Sequence, residues 1–395
     1  MDPLVTFADA AWVKLDLLAQ GIELAPSIIG INSSVDFAQR KYFYNSPIWQ
    51  ETVGKLPQEL RVLGLVVGIN AYGNSPWTLG WSDEEGMTLD NVKRQISLRP
   101  ELIRDLKLFA PNSEYSQTAN LYGGAALAFF SPRTCYFFAD EVQCTFCSLA
   151  GTALEENKYK SILSATQVED IVSLALESDP GRIEQVMIVG GNVRDLDSGF
   201  RHHLELARAA SSALLKSCPS QDVSVHISTM PPRDLHLLEE LLTIPKIHVM
   251  FNLEVWDPTA FVQICPGKDR DYGQMGILRA LEKLRDVIGP YRAHSLLVTG
   301  LEPAETTITG ARTLASIGVS PIINIYHSDR HSRIGLGMRP TFKQLATIAM
   351  GIQSLYDEFP IEPYWKSSGR NSIDAEAKKG LFHIPISKAL SKGIA

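Results

Sequence analysis

The sequence predicts an α/β fold, a partial (β/α)6 TIM-like barrel with an N-terminal cap and a short C-terminal extension, on three observations. From Leu121 onward, short apolar and often β-branched runs alternate with amphipathic helical patterns, the mark of repeated βα units around a parallel sheet. There are six such runs, short of the eight that close a full barrel. Before about residue 110 this regularity is missing.

The 395 residues, 45% of them apolar, supply enough material for a large core. Residues 1–115 read as the cap, with the apolar run Leu63–Ile69 leading into the turn-rich Asn70–Pro76. Residues 116–340 read as the barrel. Its strands are expected at Ala125–Phe130, Gln185–Val189, Val223–Ser228, Ile247–Glu254, His294–Thr299 and Ile322–Tyr326. Helical periodicity falls between and after them, at Val168–Ser178, His202–Lys216, Arg233–Leu242, Met275–Val287 and Thr307–Ile317. Residues 341–395 hold a sixth helix, Phe342–Phe359, and a polar, turn-rich extension around Tyr364–Asn371.

With 37 basic and 44 acidic residues, the surface is mildly negative, which argues against nucleic acid or an anionic membrane as partner and favours a small-molecule substrate. No apolar run approaches the roughly 20 residues needed to span a bilayer. The opening Met1-Asp2-Pro3-Leu4 lacks the basic and apolar regions of a secretory signal, so a cytoplasmic location is expected. Five cysteines are too few and too uneven for a disulfide framework.

Three of those cysteines crowd into the loop after the first strand as Cys135-x8-Cys144-Thr145-Phe146-Cys147. Soft thiolates suit iron-sulfur chemistry, and three of them leave one iron of a cubane open to another ligand. A zinc site, or buried structural cysteines, is also compatible with these residues alone. So is a metal-independent barrel lyase or aldolase, although no lysine ends a barrel strand and Gly190-Gly191-Asn192 is the only candidate phosphate cradle.

The loop resembles that of the radical S-adenosylmethionine (SAM) superfamily, whose usual form is Cys-x3-Cys-x-aromatic-Cys; the first spacing here is longer. Downstream elements resemble the biotin synthase-like and hydrogenase-maturase-like subgroup. The resemblance implies a 4Fe-4S cluster on Cys135, Cys144 and Cys147, with Phe146 near the adenine of SAM. Gly190-Gly191-Asn192, ending the second strand, stands where the family carries a Gly-Gly-Glu-like element toward the methionine amine. Asn252-Leu253-Glu254 is similar to its Asn-Leu-Asp/Glu element, which implies that Glu254 accepts from the ribose hydroxyls. Ser228 is a candidate donor to the methionine carboxylate. The place of a family arginine that grips this carboxylate is taken by Ile277, leaving Lys268 or Arg270 to supply the cation. Val298, in a partial match to the adenine element, would lie against that ring.

The implied activity is reductive cleavage of SAM to methionine and a 5'-deoxyadenosyl radical that abstracts hydrogen from a small molecule in cofactor or natural-product biosynthesis. An electron donor such as flavodoxin or ferredoxin is implied with it. Cys218 and Cys265 are too few for a second cubane, and no cobalamin signature precedes the barrel. The reaction classes left are rearrangement, epimerisation, dehydrogenation, fragmentation and C-C bond formation. Cys265, on the loop after the fourth strand, is a candidate hydrogen-atom donor. Tyr326, His327, Arg333, Arg370 and Asn371 are candidate substrate contacts, since histidine moves protons near neutral pH and arginine grips carboxylates.

Overall fold

The structure is a computed structural model that describes residues 7–30, 57–109, 115, 118–151, 162–219, 222–335, 338–366 and 369–382. Part of the expected cap, Ser367 and Ser368 of the polar stretch, and residues 383–395 of the expected extension lie outside the described residues. By compactness the chain divides into two units. One holds Leu106–Leu297 and Thr309–Ile322; the other holds Met1–Asp105, Val298–Ile308 and Ile323–Ala395.

The second unit opens on helix α1 (Phe7–Gln20) and strand β1 (Glu23–Leu24). Strands β2 (Glu59–Val62), β3 (Leu65–Gly68), β4 (Thr78–Ser82), β5 (Gly86–Asn91), β6 (Ile96–Leu98) and β7 (Glu101–Leu102) follow. They form two small sheets, ordered β1-β4-β5-β6 and β3-β2-β7. Such short strands carry no periodicity long enough to read from sequence.

Seven more strands form one open, curled sheet, the partial barrel expected from the βα repeats: β8 (Ala119–Tyr122), β9 (Ala126–Phe130), β10 (Gln185–Val189), β11 (Ser224–Ser228), β12 (Ile247–Met250), β13 (Ala293–Thr299) and β14 (Ser320–Ile325). Their order is β14-β13-β12-β11-β10-β9-β8, and β9 through β13 pair in parallel, β9 with β10, β10 with β11, β11 with β12 and β12 with β13. Val186, Met187 and Ile188 are buried, as the continuous apolar run of a strand covered on both faces requires, and in β11 His226 is buried along with Val225 and Ile227. β8 lies outside the βα pattern. It pairs antiparallel with β9 through Gly123 and Gly124, both at positive φ.

The helices, numbered on from α1, are α2 (Tyr136–Ala139), α3 (Ala165–Ser178), α4 (Leu196–Ser217), α5 (Pro258–Ile264), α6 (Pro266–Asp271), α7 (Gln274–Ile288), α8 (Ala304–Ser316), α9 (Phe342–Glu358) and α10 (Asp374–Lys378). α4 starts six residues before the expected His202, because the Asp195 side chain caps it by accepting from the amides of Asp197 and Ser198. The helix expected at Arg233–Leu242 is a 3₁₀ segment, Leu235–Thr243, capped by Asp234. β12 stops at Met250 rather than running to Glu254, which at a φ of 70° makes only an isolated parallel bridge to Leu297 of β13. No helix among the described residues is long and apolar enough to cross a membrane.

In the second unit, Lys14 on α1 donates to Glu376 and to the Gly369 carbonyl, both at 2.8 Å and fully buried. Beside this pair, the Asp374 carboxylate accepts from the Ile323 amide at 3.1 Å, the Tyr356 hydroxyl at 3.1 Å and the Ser372 hydroxyl. Burial nevertheless outweighs those donors and pushes the Asp374 carboxyl up to about 6. The folded chain therefore retains a proton on Asp374 that the unfolded chain releases near pH 4, so stability is greatest below that pH and falls as pH rises through 6. The expected loss is on the order of 1–3 kcal/mol. Thermal melts of wild type and Asp374→Asn across pH 4–7 check it: the variant is expected to lack this fall, and an unchanged slope refutes the assignment.

Candidate cluster and cofactor site

The site is built in the first unit at the C-terminal edge of the sheet, where βα loops are free to carry chemistry. After β9 the chain reaches Cys135, which stands as the N-cap of α2. Half of the eight residues between Cys135 and Cys144 thus form one helical turn, Tyr136–Ala139. Phe137 on that turn is buried, and Gly267 at the start of α6 makes room for it: a Cβ there would lie 2.6 Å from the Phe137 ring. Two backbone bonds stitch the loop to the α5–α6 segment, Gly267 N to Val142 O at 2.9 Å and Thr145 N to Ile264 O at 2.8 Å.

Charges close the outer side of the loop. Asp140 accepts from Arg194 at 2.5 Å and from Arg270 at 3.0 Å, while Arg270 also pairs with Asp271, which takes the Tyr136 hydroxyl. These groups are partly exposed and together act as a brace rather than as a large source of stability. Arg270, a candidate for the SAM carboxylate, is committed to this brace.

Cys135, Cys144 and Cys147 line one cleft together with Phe146, Gly190, Gly191, Asn192, Ser228, Glu254 and Lys268. The glycine pair serves packing: a Cβ on Gly190 would meet the Ser131 backbone at 2.6 Å, and one on Gly191 would lie 2.7 Å from the Cys135 Cβ. Asn192 has a role that an acid could not fill. Its amide donates toward the Cys135 sulfur at 3.8 Å, its Oδ1 accepts from the Met230 amide, and its carbonyl accepts from the Tyr136 amide. An acid there would repel a thiolate.

Across the cleft, Lys268 Nζ lies 2.6 Å from Glu254 Oε1 and 2.8 Å from the Asn252 carbonyl, with both side chains buried. Burial lowers the Lys268 ammonium, but the Glu254 carboxylate and the two nearby thiols prevail and leave it raised and charged. Burial raises the Cys135 thiol, against the hydrogen bonds it receives, and burial with the neighbouring Cys144 pushes Cys147 up to about 12. A hydrogen bond from Cys265 holds Cys144 below its ordinary range, with the Lys268 charge helping.

Among the described residues, no three His, Cys, Asp or Glu side chains converge as ligands of a single ion. A cubane presents a separate iron to each thiolate, so its ligands ring a cleft, as these three do. The donor set therefore fits a cluster with one iron left open.

No family model matches the chain. It is 29% identical over 204 residues to the bacteriochlorophyllide c C-7(1)-hydroxylase of Chlorobaculum limnaeum, covering 50% of this chain and 48% of that protein. The chain thus spans about half the length of this curated relative. Among solved structures it resembles HydG, a maturase of the [FeFe]-hydrogenase, at a TM-score of 0.45 and 13% identity over 61% of this chain and 52% of that one. It also resembles coproporphyrinogen III oxidase (HemN) from Escherichia coli, described as a radical SAM enzyme, at a TM-score of 0.38 and 14% identity over 64% of this chain and 57% of that one. The cleft itself brings together three cysteines, a glycine pair packed on the first of them and a buried acid–ammonium pair.

The other residues singled out from the sequence lie elsewhere. Val298 is buried at the end of β13, in the second unit. Tyr326 follows β14 in that unit, buried, with its amide on the Thr299 carbonyl at 3.1 Å; His327 is half-buried and Arg333 exposed. The Arg370 and Asn371 carbonyls accept from the amides of Gly68 and Ile325, so the polar stretch there has a backbone role. Cys265 is buried beside Cys144. Sequence reasoning missed Gln143, Phe138, Met230 and Leu149 in the cleft lining, and the Asp140 brace. The Gln143 and Phe138 positions were signalled only by lying between candidate ligand cysteines.

Proposed function

We propose that Cys135, Cys144 and Cys147 hold a 4Fe-4S cluster, that SAM binds in the same cleft, and that the chain catalyses hydrogen-atom abstraction from a small molecule. The observation carrying this reading is the gathering of the three thiols with Gly190, Gly191, Glu254 and Lys268 around one cleft. When bound, the two cofactors supply one-electron cleavage of SAM to methionine and a 5'-deoxyadenosyl radical, which takes hydrogen from carbon.

The chain's own residues hold and orient. Glu254 offers a carboxylate to paired ribose hydroxyls, and Lys268, already charged, offers an ammonium to the methionine carboxylate. Ser228 adds a hydroxyl to the same end, and Asn192 ties the first cysteine to the β11 loop. Phe146 supplies an apolar face for the adenine, while Phe137, Phe138 and Met230 keep water from the cleft. Val298 belongs to the proposal as an adenine contact, and Tyr326, His327 and Arg370 as substrate groups, while Arg270, held by Asp140 and Asp271, leaves the carboxylate to Lys268. A flavodoxin or ferredoxin is the proposed electron donor, and the cytoplasm the proposed location. The reaction is one of rearrangement, epimerisation, dehydrogenation, fragmentation or C-C bond formation; the relative's name adds hydroxylation of a tetrapyrrole to the substrates to be screened.

Anaerobic reconstitution followed by dithionite and SAM tests the reading. About four irons per chain and release of 5'-deoxyadenosine are expected. A loaded cluster that leaves SAM intact refutes the radical chemistry. A chain that takes up one zinc in preference refutes the cluster.

A further inference from the structure

We propose that a second pocket, at the N-terminal ends of β12 and β13, binds a small aliphatic carboxylate through Arg292. It lies at the opposite edge of the sheet from the cofactor cleft, and the proposal does not depend on the cluster or on SAM.

The pocket is built within the first unit and encloses about 340 Å³, open to solvent at its mouth. Small-molecule sites run from roughly 300 to 1,000 Å³, so the occupant is small. Three neighbouring elements supply the apolar wall: Leu241 and Leu242 near the end of the 3₁₀ segment, Ile247 at the start of β12, and Ile288 at the end of α7. Leu241, Ile247 and Ile288 are buried, whereas Leu242 is 67% exposed. A leucine so open to water, beside a hollow with apolar walls, offers surface that the hydrocarbon part of a ligand would cover.

Lys246 and Arg292 line the pocket as well, and they differ. Lys246 is taken by Asp222, its Nζ lying 2.9 Å from Oδ1. Arg292 is half-buried and meets no carboxylate among the described residues. Its Nε donates to the Ile247 carbonyl at 3.1 Å, which fixes the guanidinium against β12 and leaves both Nη groups without an acceptor among those residues. Burial holds it below the usual arginine range, with no opposing charge to offset the effect. A cation partly withdrawn from water without a counter-charge costs free energy that an incoming anion recovers. The remaining N–H groups of the fork match the two oxygens of a carboxylate, and the adjoining wall matches an alkyl chain.

A ligand-observed NMR titration of the full-length chain with hexanoate tests the proposal, with hexanol and inorganic phosphate as competitors. Wild type is expected to bind hexanoate saturably. Hexanol lacks the charge and phosphate lacks the chain, so each is expected to displace it only at roughly tenfold higher concentration or more. Arg292→Gln removes the charge and the fork, and is expected to weaken hexanoate by a similar factor. Leu242→Glu, at an exposed position, sets a carboxylate at the mouth that repels the probe; the same loss is expected, and it keeps the proposal testable should Arg292→Gln not fold. Failure of wild type to bind hexanoate saturably overturns the proposal. So does hexanol competing as an equal, or hexanoate affinity unchanged in a folded Arg292→Gln or Leu242→Glu chain.

Discussion

Replacing Cys144, Cys147 or Cys135 with Ala is expected to lower bound iron after anaerobic reconstitution from about four per chain to background, and 5'-deoxyadenosine release with it. A cubane held by three protein ligands has no spare one. Losing a corner leaves two thiolates on a cluster whose fourth iron is already open, and the cleft offers no other described cysteine to replace it. Cys135 makes the sharpest case. Its spacing to Cys144 departs from the usual loop, yet its sulfur faces the same cleft and receives the Asn192 amide. Iron analysis and the absorbance of the reconstituted Cys135→Ala chain decide it: a cluster retained at full occupancy would remove Cys135 from the ligand set.

The Lys268→Met variant is expected to unfold more readily by about 3–5 kcal/mol, because it leaves the buried Glu254 carboxylate without its ammonium partner. The cost is that of a stranded charge rather than of a lost contact. Glu254 also sits at a φ of 70°, a conformation that costs a non-glycine residue energy its surroundings must offset. A second substitution, Glu254→Leu, made on top of Lys268→Met, is expected to recover much of the loss. Denaturant melts of the cluster-free chain measure both. Equal stability of Lys268→Met and wild type would show that the pair is solvated in solution.

What could be read from sequence followed from how local each signal was. β10 was legible because a strand buried on both faces writes itself as an unbroken apolar run, as Val186-Met187-Ile188 does. β8 was not, since its four residues are half-exposed in alternation and acquire meaning only from the partner β9. In the same way Cys144-Thr145-Phe146-Cys147 announced itself by spacing, and Glu254 by standing as an acid after an apolar run. The union of Glu254 with Lys268 depends on how α6 is placed, so the sequence showed two candidates for two separate tasks where the structure has one pair. Arg270 and Asp140 are 130 residues apart, a separation at which no pattern in the chain couples them. Asn192 read as a departure from a motif; its hydrogen bonds to the Cys135 sulfur and Met230 amide supply the reason for an amide there.

The turn of helix between Cys135 and Cys144 has a thermodynamic consequence. Closing a loop costs entropy that grows with its length, and in many small metal domains that cost falls due when the metal arrives, which is why they unfold on chelation. Here Phe137 lodged over Gly267, the Asp140 brace and two backbone bonds already hold the loop shut. The contacts that order the loop are all made by the chain's own side chains and backbone, so less of that entropy cost is left to fall on the binding of iron.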